Sequence, residues 1–105
     1  MKLLENSLIQ SDHNVLVDND QGKISQSKLS DDLSLSTIQI YGLQEYTFTA
    51  RSGILSVSIG LCKIVCGSQE FELNLFNRVA LTRGERVTIK NTQTYPLTLN
   101  YISAN

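Results

Sequence analysis

The sequence predicts an all-β domain, a sandwich or jelly-roll barrel of two antiparallel sheets, and three observations carry that prediction. Short runs of alternating apolar and polar residues recur along the chain, about nine of them, each closed by Gly, Asn, Asp or Pro. No segment keeps the period of an amphipathic helix for long. The chain is 105 residues long, without internal repeats or low-complexity linkers, which is the length of one domain.

Residues 1–11 read as an arm or a short helical turn. Asp12 to Asp18 holds a short apolar strand, and Asn19-Asp20-Gln21-Gly22 turns it back. Gly22 to Leu29 is Ser-rich and reads as a second, exposed strand, closed by Ser30-Asp31-Asp32. Residues 1–32 are therefore an N-terminal arm or a set of edge strands, and 33–105 are the barrel core. Leu33 and Leu35 alternate, as do Ile38 and Ile40, but out of phase, so a bulge is expected near Ser36-Thr37. Tyr46, Phe48 and Ala50 alternate with Thr47, Thr49 and Arg51 after a break at Gly42 to Glu45. Leu55, Val57 and Ile59 follow the Ser52-Gly53 turn, and Gly60 bends the chain. Leu61 to Cys66 is apolar on both faces except for Lys63, so both faces should be covered. Phe71, Leu73 and Leu75 are expected to point inward. Val79 and Leu81, then Val87 and Ile89, flank Gly84 and read as a hairpin with one buried face. Leu97, Leu99 and Tyr101 form the inner face of the last strand, after Pro96.

Composition narrows the function classes. The apolar fraction of 41% suits a globular core, and the charged fraction of 18% suits a domain that hides surface in a partner. So small a chain has a thin core, and an open sheet edge invites a second copy, so a homodimer is expected. Residues 1–45 carry three lysines against seven carboxylates (Glu5, Asp12, Asp18, Asp20, Asp31, Asp32 and Glu45), whereas residues 78–105 carry Arg78, Arg83, Arg86 and Lys90 against Glu85. That asymmetry can dock one subunit on another or be two ordinary solvated faces. The charge pattern is not that of a nucleic-acid binder. Cys62 and Cys66 lie on one face of a strand, roughly 13 Å apart, too far for a disulfide. They read as buried free thiols in a reducing compartment. No run approaches the roughly 20 apolar residues of a membrane helix, and no signal peptide precedes the strands. A cytoplasmic protein without membrane partners is expected.

From Gly42 to Tyr101 the chain resembles the cupin superfamily. That family's second motif reads Pro-x-Gly-x-x-His-x-x-x-Asn; here Thr82-x-Gly84-x-x-Val87-x-x-x-Asn91 keeps the Gly and the Asn and lacks the Pro and the His. Its first motif carries His-x-His, then Glu, then Gly. Counted from Gly42, the His pair falls on Phe48 and Ala50; counted back from Gly60, the Glu falls on Gly53, with the halves one residue short of register. The resemblance implies a cupin-type jelly roll. In metal-binding members three His and one Glu are the ligands, and none of Phe48, Ala50, Gly53 and Val87 offers a side-chain lone pair. No metal and no other cofactor is expected. The one histidine, His13, lies far upstream.

Two function classes follow. The inward aromatic set predicts a pocket lined by Tyr46, Phe48, Val87 and Tyr101, suited to a flat or apolar small ligand, in a metal-independent binding protein or interaction module. Core packing is the alternative for the same residues. Gly42-x-x-x-Tyr46-x-Phe48 followed by Gly53 to Gly60 is also similar to short, metal-free cupins of the pyrimidine/purine nucleoside phosphorylase family. That likeness implies phosphorolysis of a nucleoside, with Arg51 and Arg83 as candidate phosphate binders. Strand parity turns Arg51, Arg78 and Arg86 outward and leaves Arg83 in a turn, and no general acid or base falls on the inner face.

Overall fold

The computed structural model describes residues 14–105. The readings at residues 1–11 and His13 lie outside them. Ten strands are described: β1 (Asn14–Asp18), β2 (Gly22–Lys28), β3 (Leu33–Ile40), β4 (Glu45–Thr49), β5 (Gly53–Ile59), β6 (Cys62–Cys66), β7 (Gln69–Leu73), β8 (Arg78–Leu81), β9 (Arg86–Lys90) and β10 (Leu97–Ala104). They form an antiparallel six-stranded sheet in the order β1-β2-β3-β10-β5-β8 and a four-stranded sheet in the order β4-β9-β6-β7. The fold is the all-β jelly roll that the alternation predicts. Its core lies between the two inner faces, where Leu55, Cys62, Ile64, Val87, Ile89, Leu97 and Leu99 are fully buried. No helix of the described residues is long and apolar enough to cross a membrane.

Several local readings are corrected. The Gly84 turn is not a hairpin: β8 pairs with β5 in the larger sheet, while β9 pairs with β4 and β6 in the smaller one. Alternation is a property of each strand alone, so it cannot tell a hairpin from a corner where the chain changes sheets. There is no bulge in β3, which pairs without a register shift to both β2 and β10. The buried face of β3 is Ser34, Ser36, Ile38 and Ile40, and Leu33 and Leu35 face outward. The serines pass inside because small hydroxyls find partners there; Ser34 donates to the Asn105 side-chain oxygen. The register shifts occur instead between Val15 and Val17 in β1 and at Thr98-Leu99 between β10 and β5.

Burial departs from parity where cover ends. β2 is not an exposed strand, since β1 and β3 flank it and bury Ile24 and Ser25. β7 is an edge strand that stops at Leu73, so Phe71 is partly exposed and Leu75 and Phe76 lie in solvent. There Asn74 and Asn77 hold a turn through side-chain bonds, Asn74 N–H to Asn77 Oδ1 at 2.8 Å and Phe76 N–H to Asn74 Oδ1 at 2.9 Å. Ile59 is likewise exposed, at the end of β5. Leu61 and Val65 are only half-buried, so the outer face of β6 is not fully covered within this chain.

Candidate functional site

Asn91 determines how one end of the barrel is tied. Its side-chain amide donates to three main-chain carbonyls, of Ile40, Tyr41 and Tyr95, at 3.0, 3.1 and 2.9 Å, and its Oδ1 accepts from Gln93 N–H at 2.9 Å. With two hydrogens and three acceptors, one bond is shared. This links the end of β3 to the segment entering β10.

Residues of β4 line a groove together with residues of β1, β2, β3 and β10 of the larger sheet. Tyr46 and Phe48 on β4 stack with centroids 5.6 Å apart, and Phe48 meets Tyr101 of β10 at 5.7 Å in a tilted arrangement. The three rings make one wall of a groove of about 340 Å³. Leu16, Ile24 and Ile38 add apolar surface, while Gln26, Ser36, Ser103 and Arg51 add polar groups. Of the predicted pocket residues, Tyr46, Phe48 and Tyr101 line this groove. Val87 does not: it pairs with Phe48 across β4 and β9 and is wholly buried. Parity on β4 and β10 found the rings. Missed were Gln26, Ser36 and Ser103, because polar residues in a Ser-rich stretch give no signal of facing inward.

Burial pushes both Tyr46 and Tyr101 hydroxyls above the ordinary phenol range, the Arg51 main chain and charge opposing it at Tyr101, so the rings are neutral donors at pH 7. The Tyr101 hydroxyl accepts from Arg51 N–H at 3.0 Å and donates to the Arg51 carbonyl. It thus fixes the backbone of the β4–β5 loop at the rim of the groove.

Both arginines of the phosphate reading reach one place. Arg51 and Arg83 line a second cleft of about 420 Å³, with Thr49, Ser52 and Asn105. Arg78 and Arg86 line neither cavity.

The four positions where the motif alignment puts metal ligands do not fit one. Phe48 is in the ring stack, Ala50 and Val87 are buried, and a side chain at Gly53 would collide with the Ile102 carbonyl. Among the described residues, no three His, Cys, Asp or Glu side chains converge. Cys62 is fully buried and its thiol is pushed up to about 12, by desolvation and then by the Glu72 charge. Cys66 is also raised, chiefly because its thiol donates to Glu85 Oε2 at 3.1 Å. Both are thiols at pH 7, and a neutral thiol is a poor nucleophile. Ellman's reagent at pH 8 should label neither cysteine within minutes in the native protein and both in denaturant. Because the folded state disfavours the Cys62 thiolate, its contribution to stability is complete below the unfolded thiol's pKa, about 8.5, and is lost as pH rises from there toward about 12.

No protein-family model matches the sequence, and no curated protein sequence matches it. Solved structures do match. The Cnp3 cupin domain of Schizosaccharomyces pombe is 15% identical over 88% of this chain and 69% of that one, with a TM-score of 0.69. An RmlC-like cupin family protein of Methanocaldococcus jannaschii, a double-stranded β-helix, is 12% identical over 87% of this chain and 88% of its own, also at 0.69. Vicilin from Capsicum annuum reaches 0.78 at 10% identity, over 87% of this chain and 29% of the longer one. These likenesses show a cupin fold.

Proposed function

We propose that this cupin-fold chain binds a small flat molecule in the groove at the mouth of its barrel, without a metal, and works as a homodimer. The observation that carries the reading is the aromatic set of Tyr46, Phe48 and Tyr101, lining one cavity of about 340 Å³ together with the polar groups Gln26, Ser36 and Ser103. An aromatic wall with a few convergent polar groups is the usual composition of a small-molecule site. The test is ligand-observed NMR with uridine, adenosine and benzoate as flat probes. Binding of at least one at millimolar concentration, weakened about tenfold or more by Phe48→Ala through loss of stacking, supports the reading. No binding by any of them overturns it. The nucleoside phosphorylase alternative is supported by the meeting of Arg51 and Arg83 in one cleft. It requires phosphate-dependent release of free base from a nucleoside, lost in Arg51→Ala.

Metal independence has its own expected outcome. Elemental analysis should find well under one equivalent of any first-row metal. Chelator should leave the melting temperature unchanged, because no binding energy is then coupled to folding. Zinc, iron, manganese or nickel retained near one equivalent through chelator dialysis contradicts this.

The dimer is supported by the outer face of the larger sheet. The adjacent strands β3, β10 and β5 carry no charged residue at all. On that face Ile102 is cross-strand neighbour to both Leu35 and Ile54, and Ile54 and Ile102 are nearly half exposed. Depletion of charge around exposed aliphatics marks the centre of an interface, and an isologous pairing of two such faces closes it. Light scattering should give a dimer mass at micromolar concentration, and Ile102→Lys should give a monomer. Val65→Lys tests the half-buried outer face of β6 as the alternative contact. A wild-type monomer overturns the proposal.

A further inference from the structure

Ile24 and Tyr46 belong to two cavities. Besides the aromatic groove, both line a smaller cavity of about 140 Å³, whose other apolar walls are Val17, Gly22 and Ile40. The register of β2 with β3 sets how the two follow one another: Gly22 pairs with Ile40, Ile24 with Ile38 and Gln26 with Ser36. The smaller cavity takes the Gly22–Ile40 end of that ladder and the groove takes the Gln26–Ser36 end. The two therefore lie end to end along β2, over four residues of roughly 3.3 Å each, and meet at Ile24.

Their linings differ in polarity. The groove holds the buried hydroxyls of Ser36 and Ser103. The buried lining of the smaller cavity is Gly22, Ile24 and Ile40, with no polar side chain among them, and its polar residues Asn19, Gln21 and Lys23 are exposed. A dry apolar cavity of roughly 150 Å³ is enough to take one benzene-sized group. Its shape is also fixed in advance. Asn19 N–H donates to the Gly22 carbonyl at 3.0 Å, Gln21 N–H to Asn19 Oδ1 at 2.8 Å, and Tyr41 N–H to the Gln21 carbonyl at 3.0 Å. These bonds hold the β1–β2 turn closed and tie it to the end of β3, so little ordering opposes binding.

Resting on the flat-ligand reading above, we infer that the ligand is an aromatic molecule bearing an apolar side group of about three to six carbons, its ring against Tyr46, Phe48 and Tyr101 and its side group in the cavity beside the β1–β2 turn. Ile24 and Tyr46, lining both cavities, join them into one site. Binding is reversible, and no bond is made or broken.

The experiment compares benzoate with 4-propylbenzoate on the full chain, by calorimetry and NMR, with uridine and adenosine as flat probes that lack the apolar group. Among the described residues no carboxylate lines either cavity, so the benzoates meet no like charge there. 4-Propylbenzoate should bind about tenfold or more tighter than benzoate, the gain expected from burying three carbons. Nuclear Overhauser contacts should run from its propyl protons to the methyls of Val17 and Ile40, and from its ring protons to Phe48 and Tyr101. Val17→Phe, which fills the smaller cavity, should cancel the gain from the propyl group. Phe76→Ser removes an aromatic ring that is 96% exposed and lines neither cavity, and should leave that gain in place. If benzoate binds and the propyl group adds nothing, or if its contacts in the wild type fall on the exposed Ile54 and Ile102 face, this inference fails while the flat-ligand reading stands. A gain that survives in folded Val17→Phe, or is lost in Phe76→Ser, likewise refutes the joined site alone. If a nucleoside binds and neither benzoate does, the inference again fails by itself. If no probe binds, both readings fail.

Discussion

Asn91→Ala is expected to lower the stability of the domain by about 3 kcal/mol, a large part of the 5–15 kcal/mol typical of a small domain. The side chain is 3% exposed and holds three carbonyls from two separate segments. Truncation leaves those carbonyls short of a donor in a place where water enters poorly, and each orphaned group costs of order 1 kcal/mol or more. The Gln93 N–H, which now donates to Asn91 Oδ1, also loses its acceptor. Asn91→Asp should be no better at neutral pH, since a carboxylate cannot donate and would face three carbonyl oxygens. Urea denaturation followed by far-ultraviolet circular dichroism measures the loss. A change below about 1 kcal/mol, the worth of a single ordinary hydrogen bond, shows that the three bonds are replaced by solvent.

Gly53→Ala should be comparably damaging for a different reason. A Cβ on Gly53 points into the main chain of β10, against the Ile102 carbonyl oxygen and within 2.8 Å of Ser103 Cα. Main-chain atoms in a paired strand cannot swing aside, so β5 and β10 must separate at the point where they join. A loss of about 3 kcal/mol is expected, at the upper end of ordinary single substitutions. Gly67→Ala is the comparison. Its Cβ would meet nothing within 4 Å, and its φ of 59° costs only the left-handed strain of a non-glycine residue, about 1 kcal/mol. If the two variants unfold at the same temperature, close approach is not what requires glycine at 53. Because Gly53 follows Ser52 of the cleft and pairs with Ser103 of the groove, Gly53→Ala should also weaken binding of any probe that the wild type holds.

The sequence by itself determined the fold class, most of the strands and the inner rings. Alternation along a strand is imposed locally by the pleat, so Tyr46, Phe48, Leu99 and Tyr101 show their side without reference to any partner. Asn91 was also legible, as the position that, with Gly84, matches the motif the chain resembles. What lay outside a single strand was not legible. Which sheet each strand joins decided that the Gly84 turn is a corner and that Arg51 and Arg83 share a cleft, although 32 residues of chain separate them. Cover decided that Phe71 and Ile59 stay exposed while Ser34, Ser36 and Ser103 go inside. Cover also decided that Val87, the cross-strand neighbour of Phe48, is wholly buried and does not line the groove. Each of these depends on contacts between residues distant in sequence, and a period of two reports only which face a side chain takes, never what is packed against that face.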